Sequence, residues 1–119
     1  MVRDLGAGAS MTELVSGARA DGRDVVVVTA GATVGQSLDW FAESLDLPEW
    51  FGRNLDALAD CLHDFAEEEA QEGIEGRVLV WDRVALFKVV DPEGYDGIRS
   101  VLLEVEDEHP SLAVVVVDR

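Results

Sequence analysis

Three runs of aliphatic and β-branched residues divide the chain, at residues 24–29, 77–82 and 112–117. Each run is nearly continuously apolar rather than alternating, which is typical of parallel strands that are buried on both faces. Amphipathic helical patterns lie between the runs. The order of elements therefore predicts an α/β fold, with a parallel sheet and surrounding helices.

Two helices are predicted between the first and second runs. Apolar residues within 38–45 repeat at helical spacing, with Ser37 as the expected N-cap and Pro48 ending the segment. A second helix is expected over 55–67, with Asn54 as its N-cap and leucines along one face. The polar side chains of this second helix are therefore expected on the face opposite the core.

The first 23 residues are rich in glycine and alanine and show only a weak helical pattern over 12–20. We therefore expect residues 1–23 to form an N-terminal extension, partly helical or frayed, and residues 24–119 to form a single domain. A chain of 119 residues has the usual size of one domain, so a multidomain organisation is not expected.

The composition is strongly acidic, with 25 aspartates and glutamates against 9 lysines and arginines and a formal net charge of -16. A chain of this charge repels nucleic acids and anionic membranes, so the expected partners are basic. It contains a single cysteine, Cys61, and no apolar run long enough to span a bilayer or act as a secretory signal. We expect a cytoplasmic protein that is monomeric when free.

Most of the net negative charge lies between Asp39 and Glu72, where eleven carboxylates accompany one arginine. On the second helix, Asp56 and Asp60 fall opposite the leucines, with His63 among the acidic residues. An ordinary solvated helix face would explain Asp56 better than it explains Asp60, because a carboxylate in the first helical turn interacts favourably with the helix dipole. The alternative is that these acidic side chains form a surface that binds a cationic partner.

A last helix is predicted between Pro92 and Pro110. Its C-terminal turns carry Glu104, Glu106, Asp107 and Glu108. The helix dipole disfavours carboxylates there by roughly 0.3 to 1 kcal/mol each, and Glu104 and Glu108 also repel each other across one turn. Local rules broken in this way are typical of functional surfaces.

Signals for catalysis or metal binding are weak. His63 and His109 are the only histidines, and no known catalytic or nucleotide-binding motif is present. A carboxylate enzyme or divalent-metal site built on Asp56, Asp60 and His63 ranks last among the hypotheses. The sequence therefore predicts a protein that is not an enzyme and has no cofactor or metal.

Residues 47–62, LPEWFGRNLDALADCL, closely resemble the core motif of the barstar family of ribonuclease inhibitors. The order of strands and helices extends this resemblance over roughly residues 24–118. The resemblance implies a three-stranded parallel sheet with surrounding helices. It also implies an intracellular immunity protein that inhibits a basic, guanyl-specific ribonuclease of the barnase type.

By position in the motif, Asp60 resembles the family's central aspartate, which occupies the nuclease phosphate pocket, and Asp56 resembles its neighbour at the mouth of the nuclease active site. Trp50 and Phe51 resemble the aromatic pair of the preceding loop; from the residues alone, they are either a small core cluster or an exposed anchor. The other partner-binding positions implied by the resemblance are Gly52, Asn54, Leu55, Ala59, His63, Glu104 and Glu108.

The family pattern has departures that support a second hypothesis. Ala59 stands where an aromatic residue is typical, and the acidic connection over 67–76 is long. These features favour, as the alternative, a barstar-like interaction module that binds a different basic toxin or protein without inhibiting a ribonuclease.

Overall fold

The computed structural model describes residues 2–48, 52, 54–67 and 76–119. The elements are, in chain order, β1 (Arg3–Leu5), α1 (Met11–Ala20), β2 (Arg23–Thr29), α2 (Val34–Ser44), α3 (Leu55–Glu67), β3 (Gly76–Asp82), α4 (Ala85–Val90), α5 (Pro92–Glu108) and β4 (Leu112–Val117). The predicted α/β alternation is confirmed, because each of the three apolar runs forms a strand.

The sheet has four strands rather than the three that the resemblance implied. Their order is β1-β4-β3-β2, and every neighbouring pair is parallel. The added strand is β1, which pairs with β4 so that Leu5 lies opposite Val117. Three residues are too few to show a period, and only the free edge of β4 makes this segment a strand.

Helices cover both faces of the sheet. On one face, α2, α3 and α5 enclose a core that includes Phe41, Leu62, Trp81 and Ile98, all fully buried. On the other face, a smaller cluster of buried valines from β3 and β4 packs against α1, through residues such as Leu14. Residues 3–20 thus contribute to the packing of the sheet, while a domain boundary at residue 24 stays a prediction.

Trp81 lies at the centre of the larger core. Its ring stacks on Tyr95 of α5 at a centroid distance of 5.4 Å and an interplanar angle of 10°, and it meets Phe87 edge-on. Such aromatic contacts add about 0.5 to 1.5 kcal/mol per pair beyond area burial. These contacts fix α5 against the middle of the sheet. Because α3 packs beside α5, they also help to fix the position of α3.

The cap of α2 differs from the prediction. Thr33 is the N-cap, and its Oγ1 accepts a hydrogen bond from the Gln36 amide at 3.2 Å. Ser37 is instead buried in the first turn, where its Oγ accepts from the Gly31 amide at 3.0 Å. Both residues are good caps by type, and the path of the loop after β2 selects the earlier one.

The carboxyl ends of β3 and β4 are joined by an ion pair. Asp82, at the end of β3, is buried, and Arg119 donates to both of its carboxylate oxygens at 2.8 Å. The hydrogen bonds from Arg119 outweigh the effect of burial and hold the pKa of Asp82 below its ordinary value.

Within the described residues, no helix is both long and apolar enough to cross a membrane.

Candidate functional site

The start of α3 is fixed by its predicted cap. Asn54 Oδ1 accepts a hydrogen bond from the Ala57 amide at 2.8 Å, and Asn54 Nδ2 donates to the Gly52 carbonyl at 3.2 Å. Gly52 and Asn54 are both exposed. One side chain therefore satisfies a free amide at the helix start and holds the preceding loop, so that positions 52 and 54 keep a set orientation relative to α3.

Helix α3 buries one face and presents the other to solvent. Leu58, Cys61 and Leu62 are buried, whereas Asp56 and Asp60 are exposed and Ala59 is half-buried between them. Any nuclease-binding role requires this exposure, which the sequence alone did not establish. Among the described residues, no lysine or arginine forms a salt bridge with either aspartate.

Helices α3 and α5 lie side by side and run in the same direction. Near their starts, Leu55 packs so closely on Gly97 that a Cβ added to the glycine would lie 2.9 Å from Leu55 Cδ1. Near their ends, His63 Nδ1 lies 3.6 Å from Glu108 Oε2. The absence of a side chain at Gly97 thus permits the close approach at one end of the pair.

This arrangement joins the acidic residues of the two helices into one surface. Glu104 and Glu108 are exposed on α5, and Glu108 meets His63, which lies one turn beyond Asp60 on α3. We call the exposed side chains of Asp56, Asp60, Glu104 and Glu108, together with half-buried His63, the acidic face. It brings together positions that are more than forty residues apart in the chain.

The ion pairs formed by Arg99 and Lys88 neutralise carboxylates that lie outside the acidic face. Arg99 pairs with Asp4 at 2.6 Å, and Lys88 pairs with Asp118 at 2.7 Å. These contacts raise the pKa of both bases, chiefly through the hydrogen bond to each carboxylate. Together with the Asp82–Arg119 pair, they leave a concentration of negative charge on the acidic face.

Cys61 lies beneath the acidic face, not on it. Its thiol is buried, and burial raises its pKa, with further increases from Asp64 and Asp60. A thiol of raised pKa carries little thiolate and is a poor nucleophile. The interpretation of Cys61 as a structural residue therefore rests on both its position and its electrostatic surroundings.

His109 is a component of the site that sequence reasoning missed. Its Nε2 lies 2.9 Å from His63 Nδ1, and ligand atoms of His63, Glu108 and His109 all fall within 4.8 Å of one another. Asp56 and Asp60, which the last-ranked metal hypothesis combined with His63, do not belong to this group. No sequence signal links two histidines 46 residues apart, because only the packing of α3 on α5 brings them together.

Two parts of the predicted site lie outside the described residues. These are the aromatic pair Trp50 and Phe51, and most of the acidic connection over 67–76. Their proposed contributions stay predictions from the sequence.

Comparison with known families identifies a match over most of the chain. The family model described as "Barstar (barnase inhibitor)" matches residues 24–117, which is most of the chain. The match includes α3 and α5 and leaves out β1 and α1. A search of curated proteins finds no matching protein.

Proposed function

The chain belongs to the barstar family, and from this premise we propose that it inhibits a basic, guanyl-specific ribonuclease of the barnase type. The acidic face would occupy the nuclease active site and exclude RNA. As an immunity protein it would act in the cytoplasm of the cell that makes the nuclease, as a monomer that binds one nuclease molecule.

The observation that carries this proposal is the exposure of the acidic face across two helices. A ribonuclease active site must present cations to bind RNA phosphates, and it therefore has charge complementary to these carboxylates. Asp56 and Asp60 are exposed one turn apart, at a helix start held by Asn54, so their spacing is set before binding.

The residues of the acidic face take distinct roles in the proposed mechanism. Asp60 occupies the phosphate pocket among basic side chains, where it is buried on binding and controls the dissociation rate. Glu104 and Glu108 lie on the flank, where they increase the association rate through long-range attraction. Trp50 and Phe51 are proposed to pack against the nuclease beside the α3 start.

The test is a titration of RNA cleavage by a small, basic, guanyl-specific microbial ribonuclease. We expect stoichiometric inhibition by the wild-type chain, with an association rate that falls as salt is added. Asp60→Asn should weaken inhibition by about 30-fold or more, because truncating one partner of a buried charge pair costs at least about 2 kcal/mol.

A matched control is Glu43→Gln, which makes the same change in net charge at an exposed position of α2. This variant should inhibit within about threefold of wild type, because a screened charge away from the interface contributes little. Equal losses in the two variants would show that net charge, and not the position of Asp60, sets the inhibition.

A second candidate function is the binding of a different basic toxin or protein. The half-buried Ala59 supports it, because a methyl group here offers less contact area than the aromatic residue typical of the family. A folded chain that leaves ribonuclease activity unchanged but captures a basic protein, with the capture lost in Asp60→Asn, would favour this function over the first.

A further inference from the structure

We propose that His63, Glu108 and His109 form a site for a transition-metal ion of the zinc class, which links the C-terminal ends of α3 and α5. The donor set consists of two imidazole nitrogens and one carboxylate oxygen. Two histidines with one glutamate, and water in the fourth position, is a combination that zinc accepts in proteins. The proposal does not rest on nuclease inhibition, although two of the ligands, His63 and Glu108, also belong to the acidic face.

The distances between donor atoms are close to those that a tetrahedral ion requires. With Zn–N bonds of about 2.05 Å and tetrahedral angles, two ligand atoms lie about 3.3 Å apart. His63 Nδ1 lies 2.9 Å from His109 Nε2 and 3.6 Å from Glu108 Oε2, so one distance is shorter and the other longer than this value. Adjustments of about 0.4 Å or less would correct these two distances. The third, between Glu108 and His109, is at most 4.8 Å, and the exposed Glu108 side chain would have to shorten it.

The contact between the two imidazoles indicates where the ion would lie. A hydrogen bond between His63 Nδ1 and His109 Nε2 needs one nitrogen that carries a proton and one with a free lone pair, so the two atoms point toward a common position. When a metal ion binds beside this contact, the ring that carries the shared proton takes it on its other nitrogen instead, and both contacting nitrogens offer their lone pairs to the ion. The tilt of 58° between the rings keeps their faces from stacking.

The surrounding charge favours a cation. The last turn of α5 contains no basic residue, although the helix dipole places partial negative charge there. At the end of α3, Arg77 of β3 already donates to the Phe65 carbonyl at 2.6 Å. Asp60 and Glu67 lie on the same side of α3 as His63, one turn before and one turn after it. A divalent ion would therefore offset the α5 dipole and the nearby carboxylates.

The site is accessible and its framework is fixed. The His63 side chain is 23% exposed and that of Glu108 is 58% exposed, so an ion can enter from solvent. Beneath them, Leu62 and Val105 are buried between the helices and the sheet. The backbone amide of His109 is held by the carbonyls of Val105 and Glu106, which fixes the start of its side chain.

The experiment is calorimetric titration of metal-free protein with Zn²⁺ alone, repeated in a large excess of Mg²⁺. We expect one saturable Zn²⁺ site that persists in Mg²⁺, because Mg²⁺ prefers oxygen ligands and does not replace imidazole donors. Co²⁺ should give the visible absorption bands of a low-coordinate, nitrogen-ligated ion. Binding that Mg²⁺ abolishes would assign the ion to surface carboxylates and overturn the proposal.

Variants test the ligand set. His63→Gln and His109→Gln should each weaken Zn²⁺ binding by about tenfold or more, because loss of a supporting group beyond the ligands already costs that much. The carboxylate ligand is tested with Glu108→Gln, and Glu104→Gln is its control. Glu104→Gln removes the same charge from the preceding turn of α5 and should bind Zn²⁺ like wild type.

Folding of each variant is checked by its circular dichroism spectrum. Zn²⁺ should raise the melting temperature of the wild type and of Glu104→Gln, but not that of His109→Gln. Unchanged Zn²⁺ affinity in a double His63→Gln, His109→Gln variant would overturn the proposal, and so would the lack of a saturable site in the wild type.

Discussion

Neutralising the two exposed glutamates at the end of α5 should stabilise the free protein and weaken its binding to the nuclease. The perturbation is Glu104→Gln together with Glu108→Gln. Both carboxylates lie in the C-terminal turns of α5, where no basic residue offsets the helix dipole, and they are one turn apart. The free protein would therefore gain stability from their removal, whereas a cationic partner would lose two attractive charges.

The size of the stabilisation follows from this placement. Each carboxylate near a helix C-terminus costs roughly 0.3 to 1 kcal/mol at low salt, and a like-charged pair one turn apart adds roughly 0.2 to 0.5 kcal/mol. The double variant should therefore gain about 1 to 2.5 kcal/mol in the free energy of unfolding. For a domain of this size, that corresponds to about 3 to 10 °C in melting temperature.

The assay is thermal unfolding in a buffer that contains EDTA, at low and at high salt, at about pH 8. The gain should shrink at high salt, because screening removes both the dipole and the pair terms. Binding to the nuclease, measured in parallel, should show a slower association rate.

Glu93→Gln provides the matched control, because Glu93 lies in the first turn of the same helix. It makes the same change in net charge per site, but removes a carboxylate that the dipole favours, so the protein should lose stability by about 0.3 to 1 kcal/mol. If all three neutralisations raise the melting temperature alike, net charge and not position controls stability, and the dipole argument is refuted. Unchanged nuclease binding in the double variant would remove α5 from the proposed interface.

Two further predictions concern the framework that carries the site. Deletion of residues 2–22 should lower the melting temperature and increase binding of a hydrophobic dye, because it uncovers buried Val80 and Val115; melting like that of the full chain would contradict this account of β1 and α1. Arg119→Gln should destabilise the protein at about pH 7, with a difference from wild type that shrinks in acid, in urea unfolding at about pH 7 and at a pH below the ordinary carboxyl range. The reason is that Arg119 lowers the pKa of Asp82 in the folded state, so the stabilisation is present above the ordinary carboxyl pKa and is lost as pH falls through the lower folded pKa; a constant difference at both values would refute it.

The sequence by itself determined the elements whose signals are local. Continuous apolar runs identified β2, β3 and β4 to within one residue. The expected burial on both faces holds for most of β3 and β4 but is wrong for β2, which lies at the edge of the sheet and leaves Val27 exposed. Asn54 and Pro92 marked the starts of α3 and α5, because capping and the fixed φ of proline act within one helical turn. The period of α3 also separated its buried leucines from its exposed aspartates.

Tertiary structure alone decided the features that depend on distant partners. The pairing of β1 needed the free edge of β4, and the choice of Thr33 over Ser37 as the α2 cap needed the path of the preceding loop. The contacts of His63 with Glu108 and His109 exist only because α3 packs alongside α5. Periodicity and capping report on neighbours within a few residues, whereas a surface shared by two helices is set by how the whole core packs.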